Sequence, residues 1–203
     1  LAGVWHYQDL AISPDEKFLA FSFIGSGREM EVDIKNWSIG LVNLETREIN
    51  VVSEAMKPVW LRRDGQPVLV FMKESGIYYF DIATYTAKDL FTSYNNLSAE
   101  TILVGSYLTN RLALVVGRGE RVVVIETGNV GSGTIRETGA LSEGGVIYQS
   151  ATFGTNGQRL MLATANGNGS DLLIVAVAGM RVDNRINLPR VPASKIRLNY
   201  WQE

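Results

Sequence analysis

Ile-Ser-Pro-Asp-Glu-Lys-Phe-Leu-Ala-Phe, running from Ile12 to Phe21, is the stretch on which the reading of the fold turns. It returns in other words along the chain. From Leu61 to Val70 the sequence is Leu-Arg-Arg-Asp-Gly-Gln-Pro-Val-Leu-Val, and from Phe153 to Leu162 it is Phe-Gly-Thr-Asn-Gly-Gln-Arg-Leu-Met-Leu. The plan is constant: an apolar residue, two turn residues, Asp or Asn, Gly or Glu, Lys or Gln, one free position, then three apolar residues. A degenerate copy lies at Thr109-Asn110-Arg111-Leu112-Ala113-Leu114. Aligned on their apolar triplets, the copies begin about 49, 44 and 48 residues apart.

Asp64-Gly65 and Asn156-Gly157 are tight-turn pairs, because Gly takes positive φ freely and Asn or Asp hydrogen-bonds its own backbone. Ser13-Pro14-Asp15 turns the chain by another route, with Pro presetting φ. Each turn precedes a β-rich run, so each marks a hairpin between a first and a second strand. Third strands come next at Ser38–Leu44, Gly76–Ile82, Arg121–Ile125 and Asp171–Val177. Outer strands are expected at Glu48–Val52, Thr86–Phe91, Thr134–Thr138 and Val182–Leu188. No segment sustains an apolar 3.6-residue period with caps over three turns, so essentially no helix is expected. A four-strand unit repeated at this spacing is the signature of a β-propeller blade.

The expected fold is therefore all-β: one partial propeller domain over residues 1–203 with about four visible four-stranded blades, at 1–56, 57–97, 98–145 and 146–192. Residues 193–203 carry Ile196-Arg-Leu-Asn-Tyr-Trp201, read either as the inner strand of a next blade or as a strand closing the first. Four blades rarely close such a ring, so a larger propeller of six to eight blades is expected. Open terminal repeats otherwise expose sticky surface, and self-association would be the other way to cover it.

Composition narrows the function classes. Hydrophobic residues are 46% of the chain and charged residues 20%, which suits a packed domain rather than a disordered one. Residues 1–56 carry a net −5 and residues 172–203 a net +3, without a dense run of either sign, so no nucleic-acid or membrane patch is indicated. The longest apolar stretch, Leu172–Ala178, is far short of the roughly 20 residues of a membrane-spanning helix. There are no cysteines, which removes disulfides, thiolate nucleophiles and Cys-ligated zinc.

The segment Ser13–Phe21 resembles the TolB-like, WD-type propeller repeats, whose hallmark is Ser-Pro-Asp-Gly-Lys leading into Leu-Ala-Phe. Glu16 stands in place of the Gly. The second and fourth copies match at Asp64-Gly65-Gln66 and Asn156-Gly157-Gln158 but lack Ser-Pro. The resemblance covers most of the chain as a repeat, and it specifies fold rather than function. It implies kinship with periplasmic scaffold proteins and with the gating propellers of serine peptidases, and it carries over no functional residue.

Chemistry is sparse. His6 is the sole histidine, with no Gly-x-Ser-x-Gly elbow to serve, so it reads as structural or surface. Asn166-Gly-Asn-Gly-Ser-Asp171 alternates oxygen ligands and glycines as a calcium loop does, but lacks the closing glutamate and reads better as a hairpin. Gly128–Thr134 has the glycines of a phosphate-binding loop without its lysine or helix, and reads as a loop between outer strands. Trp60 is taken to align with Ile12 and Phe153 in an inter-blade core. Two partner-contact candidates remain. One is the long polar excursion Gly25–Asn36, with Arg28 in it and Trp37 at its end, although Trp37 reads equally as the buried start of strand three. The other is Arg62-Arg63, in the turn where the family has Ser-Pro.

The expected function is a non-catalytic scaffold that binds a protein partner, with no cofactor or metal and in a periplasmic or other envelope compartment. Cytoplasmic residence stays open. The alternatives are the regulatory propeller of a serine peptidase whose catalytic domain lies outside this chain, and a propeller binding a small ligand or carbohydrate.

Overall fold

A computed structural model describes residues 4–25, 33–82, 84–94, 97–132, 134–166, 169–189, 191–192, 196 and 198. Its strands fall into four antiparallel four-stranded sheets, each completed before the next begins. Sheet one is β1 (Val4–Ile12), β2 (Phe18–Gly25), β3 (Trp37–Asn43) and β4 (Ile49–Ser53). Sheet two is β5 (Met56–Arg63), β6 (Gln66–Lys73), β7 (Gly76–Asp81) and β8 (Thr86–Phe91). Sheet three is β9 (Ile102–Ser106), β10 (Arg111–Val116), β11 (Arg121–Glu126) and β12 (Arg136–Leu141). Sheet four is β13 (Ile147–Phe153), β14 (Arg159–Asn166), β15 (Gly169–Ala176) and β16 (Arg181–Leu188). The only helical element among the described residues is a single 3-10 turn, Ile34–Asn36.

Two compact units contain these sheets. The first comprises Leu1–Glu100 with Asn129–Ser132, and the second Thr101–Gly128 with Gly133–Glu203.

The repeated turn word builds the β1–β2, β5–β6 and β13–β14 hairpins. In the first, the Ser13 hydroxyl accepts the Phe18 amide at 2.9 Å and donates to the Asp15 carboxylate at 2.6 Å. Glu16, standing where the motif has Gly, takes that glycine's left-handed backbone at φ 58°. Asp64 and Gly65 both have positive φ, 51° and 79°, as a two-residue hairpin loop demands. Asn110 keeps a positive φ of 51° in the copy whose turn word has decayed. The outer strand β12 starts at Arg136, two residues later than the sequence suggests. The delay arises from the Asn129–Ser132 turn, closed by the Ser132 amide on the Asn129 carbonyl at 3.0 Å, which lengthens the preceding connection.

Successive side chains of a strand point to opposite faces, so the near-continuous apolar runs of inner strands such as β6, β10 and β11 put buried residues on both faces of their sheets. In the second unit one face of sheet three, with Ala113, Val115, Val122 and Val124, packs onto Phe153, Leu160 and Leu162 of sheet four in a shared buried cluster. In the first unit β5 lies against β1, β2 and β3. There the Lys57 amide donates to the Ser22 hydroxyl at 3.0 Å and the Trp60 indole to the Ala11 carbonyl at 3.1 Å. The register corrects one expectation. Ile12 pairs with Leu19, Phe153 with Leu160 and Leu61 with Val68, so Leu61, not Trp60, is their counterpart. Trp60 is buried nonetheless, because β5 is covered on both faces.

The second unit is pinned electrostatically at Glu126. Its carboxylate takes Arg111 at 2.6 Å and Arg136 at 2.9 Å, and the hydrogen bond from Arg111, then that from Arg136, holds its pKa below the usual glutamate range. A depressed carboxyl stabilises the fold fully above its unfolded pKa, and that contribution is lost as pH falls through the folded value. Glu126→Gln is therefore expected to lower the melting temperature at pH 7. The gap to the native protein should close on acidification below the ordinary glutamate range. Melting curves of both proteins across that range check this.

Candidate interaction site

The polar excursion after β2 ends in a short, firmly capped segment. The Asp33 carboxylate accepts the Lys35 amide at 3.0 Å and so starts the 3-10 turn. Two buried side chains fix the turn and the start of β3. Ile34 sits inward, and Trp37 opens β3 beside Ile24, its ring edge-on to His6 at 5.9 Å and 78°. Lys35, between them, is left on the surface.

Across from it stands the β6–β7 hairpin, Lys73-Glu74-Ser75-Gly76. Gly76 has φ 147°, and a side chain there would strike the Phe91 carbonyl at 2.7 Å, so the hairpin is held tightly against β8. The Lys35 ammonium meets the Glu74 carboxylate at 2.9 Å. This hydrogen bond is the main reason the Lys35 pKa is raised above the usual lysine value. The Lys73 ammonium lies 5.8 Å from the centre of the Tyr78 ring, and the hydroxyls of Ser75 and Tyr78 are 2.7 Å apart. Together Ile34, Lys35, Glu54, Lys73, Glu74 and Ser75 line an open cleft of about 100 Å³.

The cleft is small and open. Small-molecule sites commonly enclose roughly 300–1,000 Å³, and the cleft is well below that. An apolar floor at Ile34, ringed by two ammonium groups and two carboxylates, suits one or two side chains of a protein partner. Fixed but exposed charges of both signs favour orientation and encounter rate over raw affinity.

The candidates named from sequence fare differently. Arg28 lies outside the described residues. Trp37 is only 2% exposed and is no contact residue: its ring starts β3 inside sheet one, because the residue paired with Ile24 must face the core. Arg63 is likewise structural. Its guanidinium reaches Asp81 at 3.4 Å and covers the Tyr79 ring at 5.6 Å, while Lys88 holds the same Asp81 carboxylate at 2.6 Å. Arg62 is half-buried, and its carbonyl accepts the Val130 amide at 3.3 Å. The whole turn is a joint: Asp64 and Asn129 exchange two hydrogen bonds of 2.7 Å, and Gly131 packs on the Tyr79 hydroxyl.

At the hypothetical ion loop, Asn166 pairs directly with Gly169, so β14 and β15 form a hairpin. The Asp171 carboxylate is buried and taken by Arg185 at 3.0 Å and Asn187 at 2.8 Å. Among the described residues no three His, Cys, Asp or Glu side chains gather as metal ligands. Tyr148, whose phenol burial pushes up to about 12, stays protonated in neutral solution.

No family model matches the chain, and no curated protein does. Solved structures do. The β-propeller domain of Cps50 (Swd1) from Myceliophteria thermophila superposes with a TM-score of 0.59 at 9% identity, over 89% of this chain and 72% of that one. This fold is a β-propeller. TolB from Acinetobacter baumannii shares it, with a TM-score of 0.58 at 22% identity over 93% of the propeller chain described here and 43% of its own. Hydrazine synthase of Kuenenia stuttgartiensis shares it too, with a TM-score of 0.64 at 12% identity over 90% and 49%. The propeller chain thus spans less than half of the latter two structures. A fold shared with an enzyme and with TolB decides neither catalysis nor binding.

Lys35, Lys73 and Glu74 escaped the sequence reading because they sit on two hairpins far apart in the chain. A signal existed: both hairpins are the second-to-third-strand connection of their repeat, and equivalent connections of neighbouring blades share one rim.

Proposed function

We propose that this propeller is a non-catalytic scaffold that binds a protein partner through the Lys35–Glu74 cleft, with Arg28, which lies outside the described residues, as a further partner contact. The observation that supports it is the cleft itself: small, rimmed by charges of both signs, and built by two independently anchored hairpins. The packing of His6 against Trp37 points the same way, since it gives the histidine a structural task. The likeness to TolB supports placement in a bacterial envelope.

The test is site-specific photo-crosslinking in the source cells. A crosslinker at Ser75 is expected to capture one discrete protein, and the same group at Leu108, exposed in the β9–β10 turn, to capture none. No adduct from Ser75, or turnover of a small substrate by the purified protein, would count against the reading. Fractionation of the same cells reports the compartment.

A further inference from the structure

We propose that the outer edge of β4, Ile49–Ser53, is a docking site for an extended segment of another protein, which adds to sheet one as a fifth strand. Sheet one ends on β4, and among the described residues no strand pairs with its far side. The other three sheets also end on an outer strand, but each of those carries charge. β8 has Lys88 and Asp89, β12 has Arg136 and Glu137, and β16 has Arg181, Asp183 and Arg185. Charged side chains on an edge strand deter pairing with another chain. β4 reads Ile-Asn-Val-Val-Ser, with neither charge nor proline.

Val51 marks the difference best. In sheet one Phe21 pairs with Gly40, and Gly40 with Val51. The matching rows end at Lys88 in sheet two, Ala140 in sheet three and Arg185 in sheet four. Their inner members Val70, Leu114 and Leu162 are buried, yet all three ends are exposed. This outer position therefore faces solvent even where the inner part of its sheet is covered. Of the four sheets, only sheet one fills it with a β-branched apolar residue. Val51 is 50% exposed and Ile49, on the same side of the strand, 45%.

The edge also selects its occupant. A row of unpaired backbone donors and acceptors takes an extended strand, and Ile49 and Val51 favour β-branched residues opposite them. Charge sets the ends. Glu45, Arg47 and Glu48 precede β4 with a net −1, Glu54 follows it, and all four are exposed. A second copy paired antiparallel in full register about Val51 would set Glu48 opposite Glu54 at both ends, and like charges directly opposite are destabilising. A segment with a lysine or arginine at each end meets carboxylates instead. Glu54 also lines the Lys35–Glu74 cleft, so the edge adjoins that surface and is additional to it.

The probe is the end-blocked peptide Lys-Val-Thr-Val-Thr-Val-Lys, as long as Glu48–Glu54, titrated into the protein by fluorescence anisotropy. It is expected to bind. Val51→Lys gives β4 the residue that β8 carries at this position, and should weaken binding at least about tenfold. Exchanging both peptide lysines for glutamates should do the same. Val51→Thr keeps an uncharged β-branched edge and should stay within about twofold of native affinity. No binding to the native protein, or equal affinity for a folded Val51→Lys variant, would overturn the proposal. A doubled mass by light scattering that Val51→Lys abolishes would assign the edge to a second copy and overturn it equally. The cleft is tested separately by the crosslink at Ser75, so either reading can fail without the other.

Discussion

Gly119→Val is expected to destabilise the second unit by about 3 kcal/mol or more, from left-handed backbone strain and forced overpacking together. Gly119 sits in the β10–β11 turn at φ 88°, and its carbonyl accepts the Tyr148 amide at 2.7 Å. A side chain at this position would come within 2.8 Å of the Tyr148 carbonyl and 2.9 Å of Ile147. Backbone cannot rotate away as a flexible side chain can, so β13 must shift and the hydrogen bond is lost with it. Gly117, at φ 65° in the same turn, would bring a side chain no nearer than ordinary contact with the Glu120 carboxylate, at 4.0 Å, and separates the two causes. Gly117→Ala should cost about 1 kcal/mol, the backbone part alone. Urea unfolding of both variants measures the difference, and equal losses would mean that the close approach to β13 is absent.

Trp60→Ala is expected to cost about 3–5 kcal/mol, the range for removing a large buried aromatic. Trp60 lies between the sheets of the first unit, tilted on the Phe18 ring at 6.3 Å and bonded to the Ala11 carbonyl. Trp60→Phe keeps most of the packing but strands that carbonyl, and should cost about 1–3 kcal/mol. The ordering of the two variants is the diagnostic. If Trp60→Phe were as damaging as Trp60→Ala, the hydrogen bond rather than the packing would join β5 to β1.

The turns and inner strands were legible because their causes are local. A residue that must take positive φ, followed by three apolar residues, leaves a mark in any sequence, and Asp64-Gly65 and Asn156-Gly157 carry it openly. Even Glu16 and Asn110 keep the backbone of the word they have lost. Burial was harder to read, because it depends on what covers a face. Ile12 and Phe153 hold the same place in the repeat, yet one is exposed and the other buried. The Arg62-Arg63 turn looked like a charged surface because Asp81, Lys88 and Asn129, which surround it, are remote in sequence. The cleft was invisible for the same reason: Lys35 and Glu74 meet only once two sheets are packed.

The central claim is that the Lys35–Glu74 cleft binds a protein partner. Its most direct test is calorimetric titration of the protein crosslinked from Ser75 into the native propeller and into the double variant Lys35→Glu, Lys73→Glu. Reversing the exposed Lys35 and the half-buried Lys73, both at the cleft's rim, should leave the fold within about 1 kcal/mol of native stability. If the cleft is the site, affinity falls by at least about tenfold and most of its salt dependence disappears. Unchanged affinity in a folded double variant would contradict the claim and move the site elsewhere on the propeller.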